Sequence, residues 1–417
     1  MSPLSAAEAA RHILDSVAPQ PQLRVFLDDA LNAVLAEDVA SPLDIPPHTN
    51  SAMDGYAARS EDIRGASVDQ PVRLEVIEKL PAGTFATKPV GEGKCARIFT
   101  GAALPEGADT VVRQEDTDEG DPVVEVRDDR DAGRNIRRAG EDIRKGTTVL
   151  TAGTALTAAH LGVLASMAHA HPLVFRAPRV GIMGGGDEIV DVDQPEEILS
   201  GRKIASSNSH TLRALVLEAG GEPVDLGLAA DTPESLREHL GRATDCDLVV
   251  TSAGISVGEH DYVRQVLEEL GGAIDFWRLR MRPGAPVGFG LLEATPWVGL
   301  PGNPVSAMVT FELFVRPAIR KMMGHRLPFR KGVIVRLEEP VKTSSGLQHF
   351  LRGIVTPTSE GLEARLTGPQ GSGILTSMIH ANALLIVPEG RNETPAGTQI
   401  TALLFDDARH QAEAAFE

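Results

Sequence analysis

Between residues 178 and 325 the chain repeats one pattern: a short apolar run, a Gly- or Asp-bearing loop, then an amphipathic stretch of helical period. Residues 180–183 form an apolar run followed by Gly184, Gly185 and Gly186. Residues 211–219 read as a helix, with Ser207, Asn208 and Ser209 as cap candidates ahead of it and Gly220-Gly221 behind. A strand at 224–228 precedes Thr232-Pro233, a cap with proline at the first helical position, and a helix to Leu240. A strand at 248–251, a helix at 261–270 and a strand at 273–279 complete the series. Such alternation predicts right-handed crossovers and a doubly wound parallel sheet with helices on both faces.

The flanking segments have other textures. Ser5 and Glu8 have capping-box spacing ahead of Ile13, Leu14 and Val17, and a second amphipathic segment is expected from Asp28 through Leu31, Val34 and Leu35. Residues 43–145 read as a mostly β insertion: Val72, Leu74 and Val76 alternate, and short strands are expected at 95–99 and 109–113. A helix is expected near 158–168 in the Ala- and Thr-rich stretch 146–177. After Gly324, Val333, Val335 and Leu337 alternate and turns recur through Phe405, which predicts a small C-terminal β-barrel. The fold class is therefore multi-domain, α/β plus β.

Composition narrows the partners. Aromatics are only 4 % of 417 residues, so the cores rest on aliphatic side chains, and 41 Gly with 28 Pro imply many tight turns. A formal charge of −18 disfavours a general nucleic-acid surface. Two cysteines, Cys95 and Cys246, make no metal spacing and suit a reducing compartment, one bridge remaining open. No apolar run approaches the ~18 residues of a membrane span, and Glu8 and Arg11 stand where a signal peptide needs apolar residues. The expectation is a cytoplasmic protein with no membrane insertion.

Chemistry is expected where strands of an open α/β sheet lead into helices. Four such loops share a composition: 184–188, with Asp187 and Glu188; the loop holding Asp231; 251–261, with Ser252, Gly254, Ser256, Gly258 and Asp261; and 300–306, with Pro301, Gly302 and Asn303. Glycines let backbone N–H groups approach an anion, while the carboxylates make sense if Mg²⁺ bridges them to phosphate. Taken singly, each loop is an ordinary turn, and Asp231 or Asp261 an ordinary cap or first-turn acid; their convergence on one sheet edge carries the argument. Neither GxxxxGK[ST] nor GxGxxG is present. Arg278, Arg280 and Arg282 alternate as on a strand, a row that is either a solvated sheet edge or an anion clamp, and its entry into the same edge favours the clamp. Arg134, Arg137 and Arg138 beside Glu141 and Asp142 read at least equally as local ion pairs.

The segments SAMDGYA at 51–57, FTGA at 99–102, SVGEHDY at 256–262 and LPGNPVS at 300–306 resemble the molybdopterin molybdotransferase family, which includes bacterial MoeA and the E domain of gephyrin. The resemblance runs from about residue 5 to residue 405. It implies an elongated homodimer in which 1–26 is an N-terminal helix on the α/β domain, 27–42 and 146–177 link, 43–145 is inserted, 178–325 is a MogA-like molybdopterin-binding domain and 326–417 a small β-barrel. It further implies that adenylylated molybdopterin receives molybdate with Mg²⁺ and AMP departs. The implied catalytic set is Asp54, Thr100, Glu188, Asp231 and Asp261, with Asp187, Glu188 and Asp261 on the metal. Gly186, Ser252, Gly254, Ser256, Gly258, Arg278, Arg282, Pro301, Gly302, Asn303, Arg352 and Ser372 are implied to bind substrate.

The chain also departs from the family pattern. Gly185 stands where threonine is usual, Ser206 where an acid is usual, Ala253 for glycine, Arg278 and Arg282 for lysines, and Ala285 for a basic residue. These changes keep open a rival reading, a dimeric scaffold with relaxed catalysis that binds a peptide of another protein, as gephyrin does. A molybdopterin-adenylylating enzyme ranks last, because residues 1–177 and 325–405 would then have no role.

Overall fold

The computed structural model describes residues 3–252, 262–276 and 278–405. Helix α1 (Ala6–Asp15) starts at the expected capping box: Ser5 Oγ accepts from the Glu8 N–H, and the Glu8 carboxylate accepts from the Ser5 N–H at 2.8 Å. Its Ala6, Ala9 and Ile13 are buried in one cluster with Val315, Ile319 and Met322. The second amphipathic segment does not become an α-helix. Only a 3₁₀ turn, Leu27–Ala30, forms, and Val34 and Leu35 bridge to Ala155 and Val174. Asn32 takes φ 65°, and the N–H groups of Asn32 and Leu35 donate to Leu156 and Thr154, so cross-chain pairing replaces the helical ladder.

The insertion is a five-stranded sheet of β1 (Gly55–Ala58), β2 (Val72–Leu80), β3 (Lys94–Ile98), β4 (Thr110–Arg113) and β5 (Val123–Val126), in the order β4-β1-β3-β2-β5. Alternate residues of β1 serve opposite faces: Tyr56 packs with Leu74, Cys95 and Val124, and Ala57 with Leu80, Ile98 and Val111. Both clusters draw only on residues 56–136, so the insertion has cores of its own.

After α2 (Ala158–Ser166) comes the α/β unit: β6 (Arg179–Gly185), α3 (Ser207–Ala219), β7 (Glu222–Ala229), α4 (Pro233–Leu240), β8 (Leu248–Ser252), α5 (Tyr262–Glu269), β9 (Ala273–Phe276), β10 (Gly288–Leu292), β11 (Thr295–Leu300) and α6 (Pro304–Thr310). The last helix continues through a π turn into α7 (Arg316–Met322). The sheet order is β7-β6-β8-β11-β10-β9. Period-2 burial decides the layers. Val180, Ile182 and Val250 face α1, α3 and the 304–322 run, whereas Met183 and Val249 face α4 and α5.

Two expectations need correction. The sheet is mixed rather than parallel throughout: β7, β6, β8 and β11 run parallel, but β10 runs against both of its neighbours, β11 and the edge strand β9, because it turns back directly into β11 through Glu293 at φ 54°. The strand expected at 273–279 ends at Phe276, and Met281 and Arg282 pair instead with Gln348 and His349 of the C-terminal unit.

That unit is the expected barrel. Strands β12 (Gly332–Leu337), β13 (Gln348–Thr358), β14 (Gly361–Leu366), β15 (Ala383–Val387) and β16 (Gln399–Leu404) close as β13-β14-β12-β16-β15-β13. Cys95 and Cys246 are buried and free. Among the described residues no helix is long and apolar enough to cross a membrane.

Candidate functional site

The carboxyl ends of β6 and β7 carry the acidic pair. Asp187 Oδ1 accepts from the Asp231 N–H at 3.1 Å, and Asp231 Oδ2 accepts from the Asp187 N–H at 3.3 Å. Asp231 is therefore not the cap of α4. Thr232 is: its hydroxyl accepts from the Ser235 N–H. Both aspartates are exposed, and Asp187 Oδ2 and Asp231 Oδ1 have no partner among the described residues. The glycines before Asp187 sit in close quarters, and only at Gly185 is the obstacle backbone. A Cβ on Gly184 would lie 2.6 Å from Leu228 Cδ2 and Ser209 Oγ, and one on Gly185 would lie 2.7 Å from the Ala229 carbonyl oxygen. Gly186, at φ 126°, lies beneath the Glu188 carboxylate, and its N–H binds the Ala229 carbonyl.

The expected cap residues of α3 do other work. The helix begins earlier, at Ser207, so Ser207, Asn208 and Ser209 fall in its first turn. Asn208 Nδ2 donates to the Gly302 carbonyl at 2.8 Å, joining this loop to Pro301-Gly302-Asn303. Ser206 Oγ lies 2.7 Å from Ser209 Oγ. Ser252 ends β8 with its buried hydroxyl unpartnered among the described residues. Gly254, Ser256, Gly258 and Asp261, with the departure at Ala253, lie outside the described residues.

The arginine row is split. Leu279 and Met281 are buried, so Arg278 and Arg282 point outward and are exposed, without a partner among the described residues. Arg280 is occupied by Glu389 at 3.2 Å and by the Pro3 carbonyl. The expected ion pairs of Arg134, Arg137 and Arg138 do not form among the described residues; Glu141 accepts from the Arg138 backbone N–H instead. From the barrel, the Ser372 carbonyl accepts the Val305 N–H at 3.2 Å, so it meets the first turn of α6. Arg352 is fully buried. Its Nε donates to Ser377 Oγ and its Nη2 to the Gly371 carbonyl, both at 3.0 Å, and burial holds its pKa below the usual arginine value. Its bonds anchor the 371–377 segment, which carries Ser372.

In the insertion, SAMDGYA and FTGA are laced together. Gly101 donates to the Ser51 carbonyl, and Ser51 to the Ala102 carbonyl. Asp54 Oδ1 accepts from the Thr100 N–H at 2.8 Å and from its hydroxyl at 2.7 Å. These two bonds, with a smaller contribution from the Arg97 charge, hold the Asp54 carboxyl below the usual range. Arg97 itself carries no sequence motif beyond strand alternation, and the pattern does not single it out.

Comparison with known proteins now decides the family. The model of the MoeA N-terminal region (domain I and II) matches residues 4–168, that of a probable molybdopterin binding domain 181–321, and that of the MoeA C-terminal region (domain IV) 335–405. The chain belongs to the MoeA family. It is similar to a protein of Nostoc sp. named molybdopterin molybdenumtransferase, 37% identical over 380 residues (89% of this chain, 86% of that protein). It is likewise similar to molybdopterin molybdenumtransferase 2 of Mycobacterium tuberculosis, 37% identical over 402 residues (95% and 98%). Among solved structures, the molybdopterin biosynthesis MoeA protein of Pyrococcus horikoshii superposes with a TM-score of 0.80 at 30% identity, covering 97% of this chain and 100% of that one.

At Gly185 the Ala229 carbonyl occupies the space that any Cβ needs. The donor set also fits Mg²⁺. Among the described residues no group of three or more metal-ligating side chains converges. Mg²⁺, however, is commonly held by one or two carboxylates with waters and substrate phosphate completing the octahedron, and the free oxygens of Asp187 and Asp231 supply that number.

Proposed function

We propose that this MoeA-family chain is a molybdenumtransferase of molybdenum cofactor biosynthesis, which takes molybdate and adenylylated molybdopterin, uses Mg²⁺ and releases AMP. The reciprocal Asp187–Asp231 pair is the observation that carries this reading. When bound, the magnesium ion supplies Lewis-acid stabilisation of phosphate charge. Asp187 and Asp231 would hold it, and Gly184, Gly185 and Gly186 keep side chains out of the space beside β7. The Pro301-Gly302-Asn303 turn, fixed by Asn208, presents backbone to the phosphates. Arg278 and Arg282 are exposed cations free to meet a phosphate or the molybdate dianion. Asp54, held ionised by Thr100, is the insertion's contribution.

Because the insertion has cores of its own, we further propose that Asp54 and Thr100 of one copy meet Asp187 and Asp231 of a second, in a cytoplasmic homodimer. Mixing tests both parts. D54A and D231A homodimers are expected to be inactive in molybdenum cofactor formation, whereas co-expressed D54A and D231A regain roughly a quarter to a half of wild-type activity. Activity in either homodimer overturns the assignment of that residue, and no recovery on mixing overturns the shared site.

A further inference from the structure

Behind the Asp54–Thr100 pair lies a guanidinium that the proposed chemistry does not use. Arg97 stands opposite Tyr56 in the β1–β3 ladder, and its Cζ sits 4.8 Å from the Tyr56 ring centroid and 5.4 Å from that of Phe99. Its Nη2 donates to Gln114 Oε1 at 2.6 Å, and the Gln114 N–H in turn donates to the Asp54 carbonyl at 3.0 Å. One side chain thus touches all three segments that form the pair: Tyr56 two residues after Asp54, Phe99 just before Thr100, and the turn after β4. Its side chain is only 15% exposed, and Nη1 is buried without a partner among the described residues. A buried N–H left unbonded is costly, so packing alone does not explain a cation here.

We infer that Arg97 is a positioning residue, a fixed cation clamped between two aromatic rings that holds the Asp54 carboxylate and the Thr100 turn in their working arrangement. The inference rests on the proposed role of Asp54. It also fits the depressed Asp54 carboxyl, on which the Arg97 charge acts in the same direction as the Thr100 bonds. The other charged groups around it are few: Lys79 Nζ stands 5.6 Å from the Phe99 centroid, and the exposed Glu119 reaches Arg97 at 4.0 Å.

The test compares wild type, R97M, R97K, Q114A and D54N as full-length protein, reading kcat and KM for molybdenum insertion, the pH profile of kcat, and thermal melting. R97M is expected to lower kcat about tenfold or more with a smaller change in KM, and to move the acid limb of the profile to higher pH. R97K, which keeps the charge but loses the planar guanidinium fork, recovers part of kcat and restores the limb. If R97M does not fold, R97K and Q114A decide: a lowered kcat at unchanged melting temperature supports the inference, and wild-type kcat in both overturns it. An inactive D54N beside an R97M with wild-type kcat and limb overturns the role of Arg97 alone. An active D54N overturns the reading of Asp54, and the Arg97 inference with it.

Discussion

Asp187 and Asp231 stand 44 positions apart, and each accepts a hydrogen bond from the other's backbone N–H. The two loops that leave β6 and β7 are thereby locked face to face, with one oxygen of each carboxylate still open.

Each member of this pair has a chemical role larger than its structural one. An exposed hydrogen bond contributes about 1 kcal/mol, so D231N and D187N should melt within a few degrees of wild type. Their turnover should fall at least 100-fold, the scale of losing an electrostatic contact in the transition state, and half-saturation by Mg²⁺ should move to higher concentration. Denaturation and a magnesium titration of initial rate measure both.

A threonine at position 185 should harm this protein. In G185T a Cβ meets the Ala229 carbonyl at 2.7 Å, and that oxygen is backbone that cannot swing away. The overpacking should cost about 1–3 kcal/mol, read as a lower urea midpoint at unchanged slope. Unchanged stability would mean that β7 yields without strain.

R352A should destabilise the chain by about 2–5 kcal/mol, because it removes a fully buried side chain along with its bonds to Ser377 and Gly371. Chemical denaturation measures the loss. Activity should fall as well, since Ser372 follows directly on Gly371 and meets the first turn of α6.

A pH effect resides at the end of α7. Burial, with Arg320 and Arg316 nearby, pushes His325 down to about 4. The unfolded chain binds this proton near pH 6.5 and the folded chain only near 4, so the neutral imidazole's contribution is complete above 6.5 and is lost as pH falls towards 4. H325F should flatten the dependence of melting temperature on pH across that window. A slope identical to wild type would place the titration elsewhere.

Legibility followed the length scale of the cause. Local signals survived folding: the Ser5/Glu8 box, the Thr232-Pro233 start, Gly220 behind α3, and the alternation in β2 and β12 are set by near neighbours. What failed depended on distant partners. The 28–35 segment has helical spacing, yet Thr154 and Leu156 claim its backbone. The arginine row kept its alternation, but the barrel strand β13 captured Met281 and Arg282. In the site, the acids at 54, 187 and 231 stood out by loop position and family motif. The reciprocal bonding of Asp187 with Asp231, the Asn208–Gly302 tie and the aromatic seat of Arg97 are contacts across tens of residues that no spacing rule encodes.

The central claim is tested most directly by incubating the purified protein with adenylylated molybdopterin and Mg²⁺, with and without molybdate, and measuring AMP release. The account predicts molybdate-dependent release that D231N and D54N abolish. Tight binding of adenylylated molybdopterin with no release of AMP, in the presence of both ions, would contradict it and turn attention to a scaffold that holds a peptide of another protein.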